Sequence, residues 1–129
     1  MDYIEAQYIA IKLQSENNEA AWRGFDLLDA SWEASTRAGK WEPCEMPNVP
    51  EFGWWVKGIP TSSHSKEDGS WRTWKWKQPK TENFVYLITT VRQPVEASKN
   101  GEWETVETVS RKPLLLTDEA ERFFSNFSH

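Results

Sequence analysis

Seven residues, Trp71–Lys77 (WRTWKWK), constrain this chain more than any other segment. As a β-strand they send Arg72, Trp74 and Trp76 to one face and Trp71, Thr73, Lys75 and Lys77 to the other. The flanking segments alternate in the same way. In Phe52–Ile59, Phe52, Trp54 and Val56 oppose Trp55 and Lys57; in Phe84–Arg92, Phe84, Tyr86 and Ile88 oppose Val85, Leu87 and Val91. A sheet built from these strands carries large apolar groups on both faces, and each face needs a cover.

The connections set the topology. Pro60–Ser70 reads as a polar loop with a turn at Asp68–Gly69. Lys99–Asn100–Gly101–Glu102 carries an Asn-Gly hairpin signal that joins the third strand to Glu102–Ser110. Pro94 cannot donate to a ladder and marks a bulge or an edge. Consecutive strands with short links predict an antiparallel meander. Lys112–Pro113 ends it.

Helices supply the cover. Glu19–Ala38 places Ala21, Gly24, Phe25, Leu28, Trp32 and Ser35 on one side and Glu19, Arg23, Asp26, Asp29, Glu33 and Arg37 on the other. Gly39 follows as its C′ residue, and Ser15–Asn18 offers N-cap residues before it. A short last helix is capped by Thr117, with Asp118 and Glu119 in its first turn. Its Ala120, Phe123, Phe124 and Phe127 form an apolar stripe at i, i+3, i+4 and i+7. That stripe is expected to cover the second sheet face. Tyr3–Leu13 reads as a strand: its tail YIAIKL is β-branched and aromatic, and Glu5, Gln7, Lys12 and Gln14 do not share one helical face. Lys40–Pro50, with three prolines, reads as an extended connector. The expected fold is a single α+β domain over residues 1–129. Its antiparallel sheet has four to five strands, with one long helix near the N-terminus and one short C-terminal helix (β-α-β-β-β-β-α).

Charge is segregated. Residues 1–51 hold ten acids against four bases, residues 52–81 two acids against six bases, and residues 82–129 eight acids against five bases; the whole chain is at −5. The acidic balance disfavours duplex nucleic acid at long range. The positive middle segment suits a local anionic ligand. One cysteine, Cys44, excludes an intramolecular disulfide. No signal-peptide pattern or 18-residue apolar run is present, so a soluble cytoplasmic protein is expected, with no membrane partner.

Motifs for catalysis are weak. Cys44 lies between Glu42 and Glu45, without a base or cation to activate it. Cys44, His64 and His129 lack any zinc spacing, so no metal or cofactor is expected. Ser62, Ser63, His64, Ser65 and Asp68 crowd one loop, whereas triad members come from separate rigid elements. Glu102 and Glu104 lie about 7 Å apart on one strand face, and Asp26 and Asp29 form a second pair. Both read as solvated acids rather than the unlike carboxylates of a glycosidase.

Two binding surfaces remain. Asp26, Asp29 and Glu33 form an acidic ladder that a basic partner protein would meet, a nucleic-acid-binding protein being one candidate. Trp54, Trp55, Trp71, Arg72, Trp74, Lys75, Trp76 and Lys77 form an aromatic and basic set suited to protein anchors or a nucleotide-like ligand. The leading expectation is a non-catalytic interaction protein, an inhibitor or adaptor. The alternative is a small-ligand binder, and an enzyme of unrecognised type ranks third.

Overall fold

The computed structural model describes residues 1–67, 69–96 and 100–127, with residues 57–64 described as backbone only. Over these residues the fold is α+β, with three α-helices and a five-stranded antiparallel sheet.

The first element corrects the sequence reading. Tyr3–Ser15 is a helix, α1, not a strand. A capping box starts it: the Glu5 amide donates to Asp2 Oδ1 at 2.8 Å and the Asp2 amide to Glu5 Oε2 at 3.2 Å. Tyr3, Ala6, Ala10 and Leu13, spaced i, i+3, i+7 and i+10, are its buried residues. The polar residues misled because one of them faces inward. The Gln7 amide donates to Gln78 Oε1 in the sheet at 3.1 Å, so polarity does not mark the outer face.

Helix α2 (Ala20–Arg37) follows the expected periodicity. Ala21, Gly24, Leu28, Trp32 and Ser35 are buried together with Leu27 and Ser31. Asn18 Oδ1 accepts from the Ala20 amide (2.9 Å), and Gly39 takes φ +75° past the C-terminus. The small polar face of α2 grips the segment after the sheet. Ser31 Oγ accepts from the Thr117 amide (3.1 Å), Ser35 Oγ donates to the Leu115 carbonyl (3.1 Å), and Lys112 Nζ donates to the Thr36 carbonyl (2.8 Å).

The strands are β1 (Glu42–Pro43), β2 (Trp54–Ser65), β3 (Trp71–Pro79), β4 (Phe84–Pro94) and β5 (Trp103–Pro113), in spatial order β1-β5-β4-β3-β2. Strands β2 to β5 form the predicted meander. Strand β2 runs through Pro60, where a loop was expected. A register shift between Val56↔Lys77 and Thr61↔Lys75 absorbs the proline, and β2 is an edge strand where a missing donor is tolerated. The Asn-Gly turn is closed by the Val95 amide on the Glu102 carbonyl (3.0 Å), with Gly101 at φ +70°; its Lys99 lies outside the described residues. So does Asp68 of the β2–β3 turn, where Gly69 takes φ +94°. Pro94 pairs with Trp103 beyond the last β3–β4 pair, Trp71↔Arg92, so no β3 acceptor lacks its donor.

Helix α3 (Asp118–Ser125) is capped as expected, Thr117 Oγ1 accepting from the Ala120 amide at 3.2 Å. It does not cover the second sheet face, as the sequence suggested. Phe124 joins Tyr3, Ala6, Leu28, Trp32, Val85 and Leu114 in one core on the helix side, so all three helices share that side. On the other face Trp54, Tyr86 and Ile88 are buried. Their cover is residues 44–53, which cross from the β1 edge to the β2 edge. Trp54 Nε1 donates to the Val49 carbonyl (3.3 Å), and Lys77 Nζ meets Glu51 at 3.5 Å. A proline-rich strap, rather than a helix, closes this face.

Candidate functional site

Antiparallel register sorts the aromatic and basic candidates. Trp55, Arg72, Trp74 and Trp76 lie on the helix face, and Trp54, Trp71, Lys75 and Lys77 on the strap face. The eight residues therefore do not converge on one pocket. Trp54 stands edge-on to Tyr86 (centroids 5.8 Å apart) beneath Lys77 Nζ (5.4 Å), and both Trp54 and Lys77 are buried under the strap. Trp76 is half-buried against the helix-side core. Lys75 is partly exposed, and burial together with the neighbouring Lys77 ammonium depresses its pKa.

Two accessible surfaces include residues of these candidate sets. The first is a groove between α1, α2 and the start of β2. It consists of a cavity of about 230 Å³ lined by Ile11, Phe25, Asp29, Trp32, Trp55, Val56 and Gln78, among others, and an adjoining one of about 270 Å³ lined by Gln7, Tyr8, Ile11, Trp55 and Lys80. Its rim is apolar and exposed: Tyr8 is 65% accessible, Ile11 39%, Trp55 36% and Val56 46%. Lys80 Nζ sits 4.5 Å from the Trp55 ring. Trp22, on the outer side of α2, leans on Phe25 with centroids 6.4 Å apart. Behind the wall Gln78 is fully buried, and its Nε2 has no hydrogen-bond partner among the described residues, an arrangement that costs about 1–3 kcal/mol. Tyr3 donates its phenol proton to the Leu28 carbonyl at 2.7 Å. Burial, with the Asp29 carboxylate adding to it, holds that phenol far above its ordinary pKa.

Asp26, Asp29 and Glu33 are all exposed on α2. Asp29 lines the groove, and Glu33 pairs with Arg37 one turn on at 3.6 Å. One acid of the ladder, Asp29, and one tryptophan of the aromatic set, Trp55, thus line the same cavity. Sequence reasoning missed Tyr8, Ile11 and Val56, and it assigned Phe25 to core alone. Reading α1 as a strand separated Tyr8 from Ile11, which a helix brings together at i, i+3. The D-x-x-E capping box at Asp2–Glu5 was the available signal.

The second surface is a cavity of about 340 Å³ at the far end of the sheet, lined by Lys66, Trp71, Arg72, Trp74, Val91 and Gln93, among others. Arg72, Trp74, Val91 and Gln93 share the helix face there, beyond the reach of the helices. On the opposite face Arg92 lies 4.6 Å from the Trp103 ring.

The remaining candidates stand apart from both surfaces. Burial pushes the Cys44 thiol up, against an opposing pull from Arg111, so the thiolate form is disfavoured. Among the described residues no group of three His, Cys, Asp or Glu side chains is placed to hold a metal ion. Glu104 accepts from Gln93 Nε2 at 3.1 Å on an exposed strand, and Glu102 is exposed beside the turn. The side chains of Ser62, Ser63 and His64, and all of Asp68 and His129, lie outside the described residues. Among those described, no helix is long and apolar enough to cross a membrane. No family model matches the chain, and neither a curated protein nor a solved structure matches it.

Proposed function

We propose that this chain is a non-catalytic interaction protein, of inhibitor or adaptor type, that binds a protein partner at the α1–α2–β2 groove. The observation that carries the reading is that Asp29, Ile11 and Trp55 line one cavity, and that Ile11 and Trp55 continue into an adjoining one with exposed Tyr8. Contiguous exposed aromatic and aliphatic surface beside fixed charge marks protein interfaces. Trp and Tyr anchors dominate binding energy there. The ladder Asp26, Asp29 and Glu33 adds electrostatic steering toward a basic partner, such as a nucleic-acid-binding protein. A photo-crosslinking residue at Tyr8 tests this in cells that express the chain. The expected product is a discrete protein adduct that is lost in Trp55→Ala and weakened when the three acids are neutralised. Equal labelling from a control probe at Leu115, or an adduct indifferent to Trp55, sinks the proposal.

A second reading rests on the far cavity. Trp74 offers a stacking face there beside Arg72 and Lys66, a combination suited to a nucleotide-like ligand. Mononucleotides titrated to about 1 mM should quench tryptophan emission, and the quenching should disappear in Trp74→Phe. An unchanged spectrum ends this reading and leaves the groove untouched.

A further inference from the structure

The two edges of the sheet are protected very differently. Edge strand β2 is broken by its register shift between Val56 and Thr61 and contains Pro60. Both devices block any incoming strand, whatever its sequence. Strand β5, at the other side, has no register shift, and its one proline, Pro113, is its last residue. Its register with β4 runs without interruption from Pro94↔Trp103 to Phe84↔Pro113. Strand β1 covers only Arg111 and Ser110, and the Cys44 amide reaches the Val109 carbonyl at 3.0 Å. From Trp103 to Thr108 every residue is exposed, and among the described residues no strand lies beyond them.

The Cys44–Val109 hydrogen bond fixes which backbone groups point outward. In an antiparallel ladder alternate residues bond to alternate neighbours. Since the Val109 carbonyl faces away from β4, so do the amides and carbonyls of Glu107, Thr105 and Trp103. Glu104, Val106 and Thr108 bond inward to β4. The open row is therefore regular and about six residues long. It is rich in strand formers (Thr105, Val106, Thr108) and blunted only by the carboxylates of Glu104 and Glu107. Negative charge is a selective guard. It repels other acidic chains, including copies of this one at net −5, and attracts a basic strand.

We propose that the β5 edge docks an extended basic segment of a partner protein by strand addition. The site is on the opposite side of the sheet from the groove and stands whether or not the groove binds a protein. Its charges also set a spacing. Glu104 and Glu107 are three residues apart and lie on opposite faces, so the complementary segment carries two Lys or Arg residues separated by two positions. Antiparallel pairing then sets one base against Glu107 while the other meets Glu104.

The test uses the full chain and a capped heptapeptide, threonine-lysine-valine-threonine-lysine-valine-threonine, followed by isotope-edited NMR. Pairing both lysines places the central threonine opposite Thr105, with its amide toward β5. The expected result is saturable binding below about 1 mM, with slowed exchange of the Thr105 and Glu107 amides and no change at Val106 and Thr108. Thr105→Pro removes one outward amide while sparing the β4 ladder, and should weaken binding at least about tenfold. N-methylation of the peptide's central threonine should do the same without altering the protein, whereas N-methylation of the preceding valine should not. Binding that is indifferent to the site of N-methylation is mere charge attraction and overturns the proposal. So does no binding at about 1 mM, and so does a self-associating chain that Thr105→Pro renders monomeric, since the occupant is then a second copy.

Discussion

Phe124→Ala is the sharpest test of the architecture, because this side chain belongs to the one core that residues of three helices and the sheet share. Phe124 has no accessible surface, stands edge-on to Phe123 with centroids 5.1 Å apart, and rests two ring carbons 3.4 Å from the position a Gly24 Cβ would take. Truncating a buried phenylalanine costs about 3–5 kcal/mol, and losing the edge-to-face partner is included in that figure. Relaxation offers little relief, because the ring lies against the α2 backbone at Gly24, and backbone moves less readily than side chains. A second route limits the loss. Helix α3 has eight residues, too few to persist alone, and in the variant it can detach instead of enclosing a void. Detachment would uncover Val85, Ala120 and Leu114, so the cost stays at about 3 kcal/mol or more. Urea titration monitored by tryptophan emission measures it, and amide exchange at Glu121, bonded to the Thr117 carbonyl, separates detachment from a void. A loss under about 1 kcal/mol would show that α3 is not part of the core, and the common helix-side layer would be wrong.

Three further outcomes follow from the same geometry. Gly24→Ala should stabilise the chain by up to about 1 kcal/mol through helix propensity, since the new Cβ meets Phe123 and Phe124 at 3.4 Å without overlap; a loss above about 0.5 kcal/mol in urea melts would show the contact to be too tight. Tyr3 has its phenol pKa raised in the fold, chiefly by burial. Its contribution is therefore present below the unfolded value near pH 10 and lost above it at up to about 1.4 kcal/mol per pH unit. Between about pH 10 and 11.5 the wild type should lose stability faster than Tyr3→Phe, and parallel slopes would contradict the assignment. Neutralising Asp26, Asp29 and Glu33 as Asn, Asn and Gln should leave each site within about 0.5 kcal/mol of wild type in melting experiments, as expected for exposed groups.

Much of the fold was legible because local signals agreed with tertiary demands. The WRTWKWK alternation, the Asn-Gly turn, the Thr117 cap and the stripe of α2 each depend on neighbours within a few residues. What escaped depended on distant partners. Gln7 looked like a surface residue until Gln78 stood opposite it, and that one inward amide turned a helix into an apparent strand. Pro60 looked like a loop because nothing local says that β2 is an edge. The strap at residues 44–53 carries no periodicity, so only the sheet order, with β1 and β2 at opposite edges, makes it cross the second face. The candidate site was half visible for the same reason. Trp55 and Asp29 stood out as residue types, but their meeting in one groove needs α1 in place.

The tryptophans and cations take on a different meaning once placed. Lys77 lies over Trp54, Lys80 over Trp55, Arg92 over Trp103, Arg111 over Phe84 and Lys112 over Trp41, at 4.4 to 5.4 Å from the ring centroids. Each contact contributes about 0.5–1 kcal/mol where exposed, and it also shields an aromatic face that would otherwise meet water. Part of the interleaving of Trp with Lys and Arg, at Trp54, Trp55 and Lys77, furnishes the two faces of one sheet. It also accounts for the polarity of the molecule. Cations drawn onto the sheet by its own rings leave the outer face of α2 and the open edge of β5 as acidic surfaces. Both proposed contacts, the groove beside Asp29 and the strand edge at Glu104 and Glu107, lie on these surfaces, and so both favour a basic partner.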